Sequence, residues 1–219
     1  MKIIVTGSLN SQKAIDKINQ IHSKTPFDLC LVCGSCCEGT LSLPTYNLCG
    51  STKSSTFLGN FGTLNTGDIT IGYCAENPTE EALNFFLNFK GKLDLFLTVE
   101  WPSGINQKSK LFSQISKSIS GSRELTEICS FVKPRYHFAS GKNHLFFERE
   151  PYYNIDGPPT RFIGLSYYGN PDKERWFYAF NIMPFSEADQ KLQGEITESP
   201  FSQSATNVFY IKLEFFFLE

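Results

Sequence analysis

The sequence predicts an α/β protein with helix-linked strands first and consecutive strands last. Three observations carry that prediction. Residues 27–33 and 93–98 are continuous apolar runs of strand length, suited to strands buried on both faces. Ala14, Ile15, Ile18 and Ile21 recur at the three- and four-residue spacing of one helical face. From residue 136 onward, β-rich runs follow one another with turns between them and no helical pattern.

The elements can be taken in order. Residues 2–6 are β-branched and end at Gly7, and Ser11 stands where a helix cap belongs before Ala14, giving strand, loop, helix. The 27–33 strand stops at Gly34, and residues 45–48 before Gly50 repeat it in shorter form. Residues 69–73 form another strand candidate. Asn77-Pro78-Thr79-Glu80 offers an N-cap, a proline at the first helical position and a Glu two residues on, opening a helix to about Phe89. Phe85, Phe86 and Phe89 on that helix read as core packing. The 93–98 strand is broken by Trp101-Pro102. Residues 107–122 are rich in Ser and Lys with weak helical spacing, a mobile loop or surface helix, and 124–132 form a short helix. Residues 136–139, 144–149, 161–167 and 176–182 are the consecutive strands, split by turns such as Gly169-Asn170-Pro171-Asp172. Beyond Glu198 the chain becomes linker-like, then apolar and aromatic over 208–218, where Lys212 and Glu214 are the charges. Such a strand should pair with the main sheet or with another chain.

Composition narrows the function classes. The chain has 219 residues, about one large domain at roughly 150 residues per domain. Hydrophobic residues make up 41% against 19% charged, which excludes disorder throughout. Lys and Arg total 20 against 22 Asp and Glu, so no uniformly basic field exists and any nucleic-acid surface must be a local patch. The N-terminal apolar stretch is too short for a signal peptide, and no window approaches the roughly 20 apolar residues of a membrane span; a soluble intracellular protein is expected. Seven cysteines in that setting argue against structural disulfides.

The spacing Cys30-x-x-Cys33-x-x-Cys36-Cys37 is one that zinc and iron–sulfur sites use. In a strand, however, positions three apart point to opposite faces, so Cys30 and Cys33 cannot reach one ion. Buried small apolar cysteines are the expected role.

The loops after the strands are the natural place for a site, because open α/β sheets bind ligands outside the carboxyl ends of their strands. They are Gly7-Ser8-Leu9-Asn10, Gly34-Ser35-Cys36-Cys37-Glu38, Gly50-Ser51-Thr52, Thr98-Val99-Glu100-Trp101-Pro102 and Ser140-Gly141-Lys142-Asn143. Their order and spacing resemble the calcineurin-like metallophosphoesterases, in which Asp-x-His, Gly-Asp-x-x-Asp, Gly-Asn-His-Glu, a lone His and Gly-His-x-His surround two metal ions. The Thr98-Val99-Glu100-Trp101-Pro102 loop is similar to the Ser-His-Asp-Trp-Pro loop of the RNA lariat debranching enzymes. Matched residue by residue, Ser8 and Asn10 stand for the first Asp and His, and Ser35 for the bridging Asp. Thr52 stands for the third-motif His, Val99 for the lone His, and Gly141 and Asn143 for the last pair. Another match for the third motif, Gly59-Asn60-Phe61-Gly62, also lacks its His.

More specific segments follow. Lys133-Pro134-Arg135-Tyr136-His137-Phe138-Ala139, Phe147-Glu148-Arg149-Glu150-Pro151-Tyr152, Thr160-Arg161-Phe162-Ile163, Gly169-Asn170-Pro171 and Tyr178-Ala179-Phe180-Asn181-Ile182-Met183-Pro184 closely resemble, in one order, the N-terminal domain of the CwfJ-type (Cwf-nineteen-like) splicing factors. The resemblance implies a four-layer αββα sandwich with two mixed β-sheets over residues 1–198, catalytically degenerate, followed by the tail at 199–219. It further implies a non-catalytic adaptor in pre-mRNA splicing and intron-lariat turnover, nuclear, with no metal or cofactor. Its partners would be the RNA lariat debranching enzyme and late-spliceosome proteins, RNA is a further candidate, no membrane is involved, and the tail is a candidate for self-association. Family members continue into C-terminal CwfJ domains after a Thr-Glu-x-Pro stretch, here Thr197-Glu198-Ser199-Pro200.

Read from the residues themselves, Trp101, Lys133, Arg135, Tyr136, His137, Lys142, His144, Arg149 and Arg161 mix cations and aromatics in the way RNA-binding surfaces do. Arg135 and Arg149 could equally be internal braces paired with Glu100, Glu148 or Glu150, and Trp101 could cover the core. The rival function is a metal-dependent phosphodiesterase or nuclease with a shifted site built from Asn10, His137, His144 and Glu38.

Overall fold

A computed structural model describes residues 1–50, 52–53, 55–75, 78–111, 119–140, 144–187 and 195–201. The first β-α unit is strand β1 (Lys2–Thr6) and helix α1 (Gln12–Lys24), capped by the Ser11 hydroxyl, which accepts from the Ala14 amide. Strands β2 (Leu29–Ser35), β3 (Thr45–Cys49) and β4 (Thr56–Phe57) follow. A hairpin of β5 (Phe61–Thr66) and β6 (Ile69–Cys74) leads to helix α2 (Glu80–Leu87) and β7 (Leu95–Thr98). Helix α3 (Arg123–Val132) and strands β8 (Tyr136–Ala139), β9 (Phe147–Glu148), β10 (Arg161–Gly164) and β11 (Phe177–Asn181) complete the described elements.

Two mixed sheets result. The first runs β11-β1-β2-β3-β4, parallel except for β11; the second runs β5-β6-β7-β8-β10-β9, parallel except for its two edge strands. Strand alternation then builds three apolar layers. Ile3, Val5, Leu29, Leu31 and Cys33 of the first sheet meet Ile71, Leu95, Leu97, Phe138 and Ile163 of the second. Ile4, Cys30 and Val32 face the other way and pack on Ala14, Ile15 and Ile18 of α1. Phe96 and Phe162 face outward from the second sheet onto Phe86 of α2 and Leu125, Ile128 and Cys129 of α3. Helix, sheet, sheet, helix is the four-layer αββα sandwich that the resemblance implies. The two cysteines three apart do lie in different layers, Cys30 beneath α1 and Cys33 between the sheets. All seven cysteines lie among the described residues, outside any disulfide.

Several boundaries differ from the sequence reading. The cap of α2 is Thr79, whose hydroxyl accepts from the Ala82 amide at 3.2 Å, with Glu80 and Glu81 in the first turn to meet the helix dipole. Asn77 lies outside the described residues. Phe86 is buried on α2, but Phe85 is 38% exposed and packs edgewise on Phe86 and against Phe61. The 144–149 run shrinks to Phe147–Glu148, because His144 turns at φ 51° and Arg149 goes inward. Residues 102–109 form turns, and 112–118 lie outside the described residues, as does the aromatic tail from 202. No helix among the described residues is long and apolar enough to cross a membrane.

Candidate functional site

The carboxyl ends of β1, β2 and β8 converge and bring the loops at Ser8, Ser35 and Ser140 together. Ser8, half-buried after the Gly7 turn, accepts at its hydroxyl from the Ser35 amide at 3.2 Å. The Leu9 amide donates to the Ser35 carbonyl at 2.7 Å and the Cys37 amide to the Leu9 carbonyl at 2.8 Å, so the two loops run as a short parallel ladder. Gly34 makes this approach possible: a Cβ there would lie 2.2 Å from Ser8 Oγ and 3.0 Å from Ser140 Oγ. At the end of β3, the Asn47 side-chain amide donates to Ser55 Oγ at 2.8 Å, and Ser55 in turn pairs with Thr52. Val99 is half-buried against the inter-sheet core, and Asn10 is exposed. Gly141, Lys142 and Asn143 lie outside the described residues.

Among the described residues, the groups drawn together at this rim are hydroxyls, amides and thiols, with Glu38 and Glu100 as the carboxylates on its loops. Cys36, beside Ser55 and Cys37, has its thiol pushed up by burial and stays protonated. Two divalent cations about 3.5–4 Å apart require anionic and imidazole ligands to offset their charge. The residues present do not fit that requirement: Ser8, Ser35 and Thr52 are neutral and Val99 has no donor. Among the described residues, no group of three or more His, Cys, Asp or Glu side chains is placed to hold an ion.

The cationic and aromatic segment has a different fate, and most of it is interior. Trp101 is 1% exposed, donates its indole N–H to the Ser140 carbonyl at 3.2 Å, stacks on Phe147 and meets Phe162 edge-on. Gly164 lies so close beneath it that a Cβ would come within 2.1 Å of the indole. Its place is the core, with no face left for a base. Arg149 is likewise 1% exposed. Its Nε donates to the Ile105 carbonyl, one terminal nitrogen to the Glu150 carbonyl and Thr197 Oγ1, and the other to the Gln107 and Glu198 carbonyls, all at 2.8–3.2 Å. The guanidinium also lies over the Tyr152 ring. These contacts satisfy its fork completely, and Arg149 is a brace that ties the 102–109 turns to the returning 195–201 segment.

His137 sits under α3 with no exposure. Thr98 gives its hydroxyl proton to the Glu100 carbonyl at 2.6 Å, so His137 donates from Nε2 to Thr98 at 2.9 Å and accepts at Nδ1 from the Cys129 thiol at 3.5 Å. Burial pulls its pKa down to about 3, keeping it neutral. A shifted metal site with Asn10, His144 and Glu38 does not assemble, because His137 is enclosed between Phe96 and Phe162 while Asn10 and Glu38 are on the loops. His144 packs edge-on against Tyr167.

The remaining candidates are tied down near the surface. Arg135 bridges Asp94 at 2.9 Å and donates to the Met183 carbonyl at 2.7 Å, and Asp94 also accepts from the Thr70 amide. Its partner is thus Asp94, not the Glu100, Glu148 or Glu150 that the sequence offered. Tyr136 packs between the sheets on Phe138 and Phe180. Lys133 ends α3 in the left-handed conformation at φ 46° and donates to the Ile155 carbonyl at 2.6 Å. Arg161 meets Glu148 at 3.4 Å, and the same carboxylate takes the Tyr178 hydroxyl. Sequence reasoning missed Asp94 and Ser55, and gave Ser140 only as part of a loop; all three act as anchors through tertiary contacts that no local pattern announces.

Known proteins share long stretches of this sequence. A CWF19-like protein 1 homolog of Caenorhabditis elegans is 36% identical over 168 residues, covering 66% of this chain and 30% of the relative. The chain carries a CWF19-like domain. CWF19-like protein DRN1 of Saccharomyces cerevisiae is 27% identical over 94% of this chain and 44% of its own length. The chain thus spans less than half the length of these CWF19-like relatives. No family profile matches it. Among solved structures, the protein TT1561 of Thermus thermophilus is similar at a TM-score of 0.44 and 11% identity, over 76% of this chain and 89% of that one.

Proposed function

We propose that this CWF19-like domain is a non-catalytic adaptor in pre-mRNA splicing and intron-lariat turnover, acting in the nucleus. Its partners are the RNA lariat debranching enzyme and late-spliceosome proteins. The observation that carries the reading is the rim at Ser8, Gly34, Ser35 and Ser140, where a phosphoesterase-like set of loops is drawn together by neutral groups. Those loops keep a defined surface for protein contact while offering no set of anionic ligands that could hold metal ions and activate water.

The test pairs a capture assay with a hydrolysis assay. The full chain, immobilised, should retain purified debranching enzyme and should leave a generic phosphodiester unhydrolysed in the presence of manganese. Hydrolysis abolished by His144→Ala would overturn the adaptor reading in favour of the phosphodiesterase, and failure to retain the enzyme would remove its named partner.

A further inference from the structure

Antiparallel pairing turns the backbone groups of alternate residues towards the partner strand and those of the residues between them away from it. On β11 the pattern is fixed at both ends: the Gly7 amide donates to the Trp176 carbonyl and the Ile182 amide to the Met1 carbonyl, each at 2.8 Å. The unbroken register between them, from Lys2 with Asn181 to Thr6 with Phe177, puts Tyr178 and Phe180 on the β1 side as well. Phe177, Ala179 and Asn181 therefore direct their N–H and C=O groups outward along the edge of the first sheet. Among the described residues, none takes these groups. We propose that this edge takes up an extended segment of a partner protein as a further strand, its main chain bonded to Phe177, Ala179 and Asn181 and an acidic side chain held by Arg161 and Arg175. The site is a sheet edge rather than the strand-end rim, and it does not depend on the adaptor reading.

Sheet edges are ordinarily guarded by charges, prolines, bulges or very short strands. The edge strands β4 and β9 have two residues each. In contrast, β11 offers five residues with no charge, proline or break in register, and Ala179 at its centre is exposed. Such an edge is a template for strand addition. Its surroundings select the segment that fits. Tyr178 and Phe180 turn inward onto Phe138 and Tyr136 of β8. Past them the second sheet continues to Arg161 of β10 and Glu148 of β9, whose side chains stay 28% and 31% exposed. Arg175, just before β11, approaches the same carboxylate at 3.8 Å and lies over the Phe146 ring. The next carboxylate, Glu174, is turned to the Phe146 amide at 3.2 Å. Two guanidinium groups thus share Glu148 with the Tyr178 hydroxyl, Arg161 through one nitrogen at 3.4 Å, so most of their five donors each are unspent. Side chains on the inward face of an added strand would lie over these groups, and a carboxylate is the acceptor that matches their fork.

The test is fluorescence anisotropy of a short labelled peptide of alternating valine and threonine with a central glutamate, titrated with the full chain at low salt. It should bind about fivefold more tightly than the same peptide with a central glutamine. The Arg161→Gln, Arg175→Gln double variant should erase that preference. Ala179→Pro removes an outward N–H while sparing the ladder to β1, and should weaken both peptides roughly tenfold. Should the proline cost the fold, N-methylation of alternate peptide amides breaks the same bonds against the wild-type chain and should weaken binding equally. Lys90→Glu, an exposed lysine beyond α2, should leave binding unchanged. Absence of binding by the wild-type chain would overturn the proposal, as would equal binding of the glutamate, glutamine and N-methylated peptides. A dimer that Ala179→Pro dissolves would overturn it in favour of a second copy of the chain. Binding gained only in Ile211→Pro would overturn it in favour of the chain's own 208–218 segment. Retention of the debranching enzyme is measured separately, so either reading can fail without the other.

Discussion

The rim of the first sheet and the helix-covered face of the second sheet treat their polar residues in opposite ways. At the rim, Ser8, Ser35 and Thr52 are at least partly exposed, uncharged and tied mainly to neighbouring loops. On the second face, Trp101, His137 and Arg149 are essentially unexposed, and each makes hydrogen bonds across the tertiary structure. The first region lies at the carboxyl ends of the strands, where open α/β sheets bind ligands; the second supplied the most conspicuous residues in the sequence. A cationic, aromatic segment can thus be architecture, while the loops at the strand ends carry mostly neutral side chains.

That contrast can be broken by substitution, beginning with the largest effect. Trp101→Ala removes a fully enclosed indole above Gly164 and should lower the unfolding free energy by about 4 kcal/mol in denaturant titration. An effect below about 1 kcal/mol would mean the ring is surface-mounted. Arg149→Met leaves the Ile105, Gln107 and Glu198 carbonyls without their donor and should cost roughly 3 kcal/mol. If Arg149 instead served an exposed ligand surface, the same variant would keep its stability.

The next effect depends on pH. His137 has a folded pKa lowered to about 3 from 6.5, so between those values the unfolded chain binds the extra proton and stability rises with pH. Its contribution is intact above pH 6.5 and is lost as pH falls towards 3, with a slope of up to about 1.4 kcal/mol per pH unit. His137→Gln should flatten that part of the stability profile; an unchanged profile would place the proton uptake elsewhere. The smallest effect belongs to the rim, where Ser35→Ala should shift stability by no more than about 0.5 kcal/mol.

Most of the architecture was legible in the sequence because burial there follows simple periods. The β1 and α1 pattern, the Ser11 cap and the β7 run survive almost unchanged, since their apolar positions face packed layers. Strands β4 and β5 were not legible. Thr56-Phe57 is too short to show a period, and Phe61–Thr66 carries Gly62 and Asn65 on an edge whose order comes from pairing with β6 through the Gly67 turn. The site was legible in part. The loops and their neutral substitutions can be read directly, but the enclosure of Trp101 and Arg149 depends on contacts with residues 105–107, 147, 162 and 197–198, which sequence spacing does not encode.

The adaptor reading rests on a rim whose Ser8, Ser35, Thr52 and Val99 do not fit a pair of metal ions. Elemental mass spectrometry of the full chain, after incubation with manganese, zinc and iron and then desalting, tests it directly. Well under one ion per chain is expected, unchanged in Ser8→Ala and Ser35→Ala. One or more ions per chain, lost on substituting those rim residues, would contradict it.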